Sequence, residues 1–477
     1  MKRIAIFLSL LIAACTSPVY PGIDNPVRNP NTDTDKAIIA YIDQRLEEEY
    51  YWLDEVEEKN YLFEREYTKW SDYLNKSLNM LETNMDDGYV KSNGQRSFYS
   101  YITELQSSTR VATQTSGFGI MLHYTILVGN GGNNYYYFII DHVYPDSPAD
   151  KAGIKRGDMI TQVEGKNITS SNYSGHFTAI QNNTKQSIKL TLQRQTTKES
   201  FDVSLDKGSY YPSPVARYEV IEMDNKKIGY LVYTSFVKEY DEELVAALQS
   251  LADQGVEEVV LDLRINRGGS VNSAATLCSA LMPATMEGMM LCNLVRNPNN
   301  KKTQQSTTFN LKDTGKIFGL NSLTVICSGY SASASELVVM GLRGLDVPVK
   351  LIGSQTEGKN CGMDVTRVTI SNKYLEFAPI TFMCFNAKGS GDWGEGISPD
   401  IDLKDEGNKY GLHDANYPMP RTDWGDLHHD IALAVAVAEI TGKPITATRS
   451  VEAMESSAVL PLENPALGMR LYEDERE

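Results

Sequence analysis

The residues best suited to chemistry in this 477-residue chain are Ser331-Ala332-Ser333-Ala334-Ser335-Glu336 and, 26 positions beyond Ser333 (359 minus 333), the lysine of Thr356-Glu357-Gly358-Lys359. Hydrophobic patterning predicts a strand over 323–327 and a helix over 334–343, with the serines between them. A serine there lies at the positive end of a helix and at the carboxyl edge of a sheet, where its hydroxyl could attack a carbonyl. The same place also suits a helix N-cap, for which serine is preferred with no catalytic purpose. Lys359 could take the seryl proton only when neutral, which needs desolvation or a nearby positive potential. Its glycine-containing loop, facing a helix N-terminus, could supply both.

Competing chemistries find less support. The six histidines, His123, His142, His176, His413, His428 and His429, occupy no recognisable catalytic context and read as surface or packing residues. His428-His429-Asp430 are adjacent, so their side chains cannot converge from one helix face, and no metal or other cofactor is expected. Cys361 lies two positions from Lys359 without a base of its own and reads as a lining residue. The cysteines past Cys15 are Cys278, Cys292, Cys327, Cys361 and Cys384, an odd set without a CxxC pair, so neither a metal knuckle nor a disulfide framework is expected.

Positioning these residues requires several elements. A buried strand over 228–233, an amphipathic helix over 242–251 and a second buried strand over 256–263 imply a crossover and a mostly parallel sheet, continued by strands over 323–327 and 349–352. Ahead of it, Ser147-Pro148-Ala149, Ala152-Gly153-Ile154, Gly157-Asp158-Met159-Ile160 and Val163-Glu164-Gly165-Lys166 resemble PDZ domains. Gly117-Phe118-Gly119-Ile120 resembles the loop with which that family receives a peptide carboxylate on successive N–H groups while the adjoining strand pairs with the peptide. It also reads as a strand with a glycine bulge. From 37 to about 105, Ile38, Ile39, Ile42 and Leu46, then Tyr73, Leu74, Leu78 and Leu81, then Tyr101, Ile102 and Leu105, recur at helical spacing.

Together with Asp262-Leu263-Arg264-Ile265-Asn266-Arg267-Gly268-Gly269 and Gly396-Ile397-Ser398-Pro399-Asp400, the serine and lysine segments resemble the C-terminal processing peptidases, or tail-specific proteases, over 116–443. The resemblance implies Ser333 as nucleophile, Lys359 as general base, and an oxyanion hole from the backbone N–H groups of Ala334 and of Gly268 or Gly269. It also implies protein or peptide substrates with accessible C-termini. The chain departs from that pattern at Arg267, where the family carries proline, at Glu357, where it carries phenylalanine, and at Met363, where it carries the glutamine that orients the lysine. Gln355, Glu357 or a backbone carbonyl would then hold Lys359, and a degenerate, peptide-tail-binding protein is the alternative function.

The fold class expected is multidomain α/β, comprising a small helical region (37–110), a PDZ-like β-rich domain (111–207) and an α/β protease core with a mostly parallel sheet (208–447). An acidic mobile tail (448–477) is expected at the C-terminal end. Met1-Lys2-Arg3 and the apolar run 4–14 read as a signal peptide, too short to span a bilayer, and Ala13-Ala14-Cys15 resembles a bacterial lipobox. A lipid on Cys15 would tether the protein to a membrane through a proline-rich linker over 15–36, with the outer membrane facing the periplasm as the expected location. A net charge of −17 without a basic cluster argues against nucleic acid as a partner.

Overall fold

The computed structural model describes residues 33–63, 69–90, 94–105, 114–130, 133–181, 184–300, 304–314, 317–445, 457–461 and 470–472. The signal segment, Cys15 and the linker up to residue 32 lie outside the described residues. The chain forms two compact units, one of 1–108, 295–307 and 363–383, the other of 109–294, 308–362 and 384–477.

In the first unit, helices Asp33–Glu49, Leu53–Phe63 and Trp70–Leu78 bury the expected faces, including Ile38, Ile42, Leu46, Tyr73, Leu74 and Leu78. Tyr101 and Ile102, expected in a helix, instead form strand Tyr101–Glu104, antiparallel to Lys373–Ala378, which pairs in turn with Thr366–Ile370. Three apolar positions are too few to fix a period, and Tyr-Ile-Thr favours a strand once a partner is present, here one contributed from far along the chain.

The second unit opens with the PDZ-type sheet, in the order Ser200–Asp206, Ser187–Gln193, Met159–Val163, Asn133–Val143, Ile120–Asn130 and Ser457–Pro461. Helix Tyr173–Gln181 joins a core of Phe118, Ile120, Leu122, Phe138, Ile140, Ile160, Ile180 and Leu190. The α/β region expected as the protease core contains a six-stranded sheet, Val215–Met223, Lys226–Tyr233, Glu258–Asp262, Leu323–Cys327, Val349–Gly353 and Ile401–Asp402. Only the first pair is antiparallel. Val260, Ile326 and Ile352 pack with helix Ile431–Thr441, while the alternate residues Leu261, Val325 and Leu351 are buried as well. Burial of successive residues means both faces are covered, which is why these strands read as continuous apolar runs.

The region expected as a mobile tail contains two strands. Ser457–Pro461 pairs antiparallel with the PDZ strand, Ser457 opposite Val128 and Pro461 opposite Tyr124. Arg470–Tyr472 pairs parallel with Gly268–Ser270. The run Ser-Ala-Val-Leu-Pro is uncharged and short, so the acidic composition around it hid its strand character.

Candidate active site

Three crossover loops meet at the carboxyl ends of neighbouring parallel strands: Leu263 to Gly269 after Glu258–Asp262, Ser328 to Ser333 after Leu323–Cys327, and Ser354 to Lys359 after Val349–Gly353. Loops at that edge are where an open α/β sheet places its reacting groups. Hydrogen bonds knit the first two together: Ser328 Oγ donates to Arg264 O, Ser331 Oγ to Leu263 O (2.8 Å), Ser335 Oγ to Asn266 O (2.8 Å) and Ala332 N to Asn266 O (3.2 Å).

These bonds sort the three serines. Ser331 and Ser335 spend their hydroxyls on backbone carbonyls, whereas Ser333 Oγ is buried with no hydrogen-bond partner among the described residues. Ser333 stands at the N-cap position of helix Ala334–Gly344, yet its hydroxyl does not cap the helix. Its backbone is left-handed, with φ 64°, a strained conformation for a residue with a Cβ. A buried, unpaired hydroxyl on a strained strand-to-helix turn fits a nucleophile better than a cap.

The cap is supplied by Glu336. Its carboxylate accepts from Ser333 N (2.7 Å) and Lys359 N (2.9 Å) on one oxygen, and from Gly358 N (2.8 Å) and Thr356 Oγ1 (2.6 Å) on the other. One buried side chain thus ties the backbone of the serine loop to that of the lysine loop. Burial pushes the Glu336 carboxyl up to about 7, against the pull of the four donors. The sequence carried a signal for this residue, a glutamate three positions after a serine at a helix start, the pattern of a capping box.

The lysine loop is also fixed from outside. Thr356 N donates to Ile397 O (3.1 Å) and Ile397 N to Thr356 Oγ1 (2.7 Å), and a Cβ built at Gly358 would fall 2.4 Å from Gly394 O. The Gly396-Ile397 motif therefore acts as a brace. Lys359 is 1% exposed, and Ser333 is equally buried. Gln355, one of the side chains expected to hold the lysine, is exposed and donates to Glu395 O. Glu357 is half-buried, with its N–H on Ser331 O (3.0 Å). Met363 is buried in strand Cys361–Met363.

Of the glycine pair, Gly268 gives its N–H to Asn266 Oδ1 (2.9 Å) and its C=O to Phe236 N (3.0 Å), while Ser270 N donates to Phe236 O (2.9 Å). Because backbone groups alternate along a strand, Gly269 turns its N–H to the opposite edge. Of the two glycines expected as oxyanion donors, Gly269 is thus the one whose N–H is not given to Asn266. Its φ of 141° and the 2.0 Å separation of a built Cβ from Phe236 O require glycine there. Arg267 lays its guanidinium over the Tyr330 ring, 5.1 Å from the centroid. Arg264 is buried and held between Asp262 and Asp430.

At the PDZ loop, Phe118 is buried, Phe118 O accepts from Ala149 N (3.0 Å) and Gly119 O from Tyr144 N (3.0 Å). Gly119 has φ 79°, and a Cβ there would meet Ser147 at 2.1 Å. The segment Gly117 to Ile120 thus turns tightly into strand Ile120–Asn130. The PDZ sheet is seated on the protease core through Arg156, whose Nη1 donates to Thr422 O (2.8 Å) and whose guanidinium lies 3.8 Å over the Trp424 ring. Sequence reading gave no sign of this contact.

The other candidate groups are engaged elsewhere. His142 Nδ1 accepts from Trp424 Nε1 (3.4 Å), and His413 and His429 face Glu406 and Asp426. Cys278, Cys292, Cys327, Cys361 and Cys384 are buried free thiols, and burial pushes those of Cys278 and Cys327 up, away from the reactive thiolate. Among the described residues, no group of three His, Cys, Asp or Glu side chains could hold a metal, and no helix is long and apolar enough to cross a membrane.

Comparison with known proteins agrees with this architecture. Residues 227–403 match peptidase family S41 and residues 139–194 match the PDZ domain. The chain thus carries a PDZ domain and, after it, a region similar to peptidase family S41. Among curated relatives, it is 26% identical over 260 residues to a CtpA-like serine protease of Staphylococcus haemolyticus and 25% identical over 258 residues to one of Staphylococcus aureus. Both alignments cover 54% of this chain, which spans about half (48%) of the length of those relatives. In fold, it matches the crystal structure of an S41 protease from Bacteroides fragilis with a TM-score of 0.62 at 22% identity, over 89% of this chain and 98% of that one.

Proposed function

We propose that this protein is a serine endopeptidase of the C-terminal processing type, in which Ser333 attacks the peptide carbonyl and Lys359 takes its proton. The observation that carries the reading is the sorting of Ser331, Ser333 and Ser335, which leaves the Ser333 hydroxyl, alone of these three, uncommitted beside a lysine loop held by the same carboxylate. Attack on a peptide carbonyl forms a bond from Oγ to carbon and moves charge onto the carbonyl oxygen, where the N–H groups of Ala334 and Gly269 would stabilise it. Lys359 then returns the proton to the leaving amine, and water releases the acyl group by the same route. The PDZ edge at Gly117 to Ile120 would receive the substrate's C-terminal end.

A degenerate binding protein is the weaker reading, since a strained backbone and an unsatisfied buried hydroxyl at Ser333 have no use in mere tail binding. A lipid on Cys15 and a place in the cell envelope, at the outer membrane facing the periplasm, complete the proposal. Their support is the residue pattern at 1–15.

Protein lacking residues 1–20 should cleave a flexible protein such as casein, and Ser333→Ala and Lys359→Ala should each abolish cleavage. Undiminished turnover in both variants would reject the assignment. Metabolic labelling with a fatty-acid probe should mark the full chain and spare Cys15→Ala; labelling of both would refute the anchor.

A further inference from the structure

The two strands of the 457–472 region pair with the two backbone edges that a substrate would need. Ser457–Pro461 adds to the free edge of strand Ile120–Asn130, the strand that leaves the Gly117 to Ile120 loop. Its direction is antiparallel, so Pro461 is the end of the strand nearer that loop. This is the strand addition by which an extended peptide joins a sheet edge, with affinity supplied by main-chain hydrogen bonds.

The second pairing is at the chemical site. Phe236 occupies one edge of Gly268–Ser270, so Gly269 presents its N–H and C=O to the other, and Arg470–Tyr472 pairs along that other edge with Leu471 opposite Gly269. The far side of Arg470–Tyr472 is next to the strand that opens at Cys361, two residues beyond Lys359. Ser333 and Lys359 are both about 1% exposed in this arrangement.

We propose that strands Ser457–Pro461 and Arg470–Tyr472 are intramolecular occupants of the substrate route, and that substrate enters by replacing both strand pairings. The inference rests on the peptidase reading for its kinetic consequence only; the occupancy itself stands on the backbone pairings. A tethered strand at an effective concentration of about 1 mM, binding with an intrinsic Kd of about 0.1 mM, leaves roughly one site in ten open. Releasing it should raise kcat/KM about tenfold.

The test uses the full chain and two variants that cannot keep the ladders, Val459→Pro with Leu460→Pro and Leu471→Pro with Tyr472→Pro, because proline lacks the N–H a ladder needs. Hydrogen exchange at 124–128 and 268–270 should speed up in the matching variant, and cleavage of a flexible substrate should rise about tenfold in both. A synthetic peptide of residues 456–473 added to either variant should inhibit competitively. Unchanged exchange in both variants overturns the occupancy. Faster exchange with no change in rate, or cleavage of the wild-type chain itself between Pro461 and Arg470, overturns the inhibitory role. If neither wild type nor variant cleaves anything, the peptidase reading has failed, and the exchange result alone decides the occupancy.

Discussion

Glu336→Gln tests how the serine and lysine loops are held. In the ionised wild type, two carboxylate oxygens accept from four donors, Ser333 N, Lys359 N, Gly358 N and Thr356 Oγ1. A glutamine keeps one accepting oxygen and turns an NH2 toward the remaining pair, leaving two buried donors unmatched at about 1–3 kcal/mol each. Whichever loop loses its anchor moves, and a misplacement of about 1 Å at the reacting atoms costs about 100-fold. At pH 8, kcat should therefore fall about 100-fold with KM little changed.

The pH dependence separates this role from a loss of packing. Burial raises the Glu336 carboxyl from 4.5 to about 7 in the folded protein. A raised carboxyl pKa gives a stability contribution that is complete below about pH 4.5 and is lost as pH climbs through about 7. The difference of some 2.5 pH units corresponds to about 3 kcal/mol. Urea unfolding of both proteins at pH 4.5 and pH 8 should show wild type losing about 3 kcal/mol more than Glu336→Gln over that interval. Equal pH dependence in the two proteins, or wild-type kcat in the variant, would refute the reasoning.

Other substitutions separate the remaining parts of the site. Gly269→Ala places a Cβ 2.0 Å from Phe236 O at a φ of 141°, so the strand must shift, and loss of its amide as an oxyanion donor should lower kcat at least about 100-fold in a peptide-cleavage assay. Ser335→Ala removes only the bond to Asn266 O and should cost about 1 kcal/mol in urea unfolding while kcat stays within a few fold. Arg156→Ala removes a charged bond to Thr422 O and a stack on Trp424, together about 3 kcal/mol, and should make the PDZ domain the first part released in limited proteolysis.

Much of this arrangement was legible in the residues. Four of the parallel strands announced themselves as continuous apolar runs because both faces are covered, and helices Asp241–Asp253 and Ala334–Gly344 by their period or their place after a strand, whereas helices Val271–Leu281 and Ile431–Thr441 were not foreseen. The serine run, the glycine pair and the lysine loop were visible as segments, since each lies directly after a buried strand. Two kinds of feature were hidden. Long-range strand pairing, as at Tyr101–Glu104 and in the 457–472 region, depends on a partner that local composition does not name. The task of each serine depends on which carbonyl its hydroxyl meets, and Ser331, Ser333 and Ser335 differ in this although their neighbours in sequence are nearly alike. Glu336 lay in plain view within the motif, but its reach to the lysine loop is a property of the fold.

The proposed roles of Ser333 as nucleophile and Lys359 as its activator are open to a direct test. Reaction with a fluorophosphonate, then peptide mapping in a mass spectrometer, reports both at once, since the reagent bonds only to an activated hydroxyl. A single adduct on Ser333 is expected, retained in Ser335→Ala and lost in Lys359→Ala. An adduct on Ser331, Ser335 or another residue, or equal labelling of Ser333 when Lys359 is alanine, would contradict it.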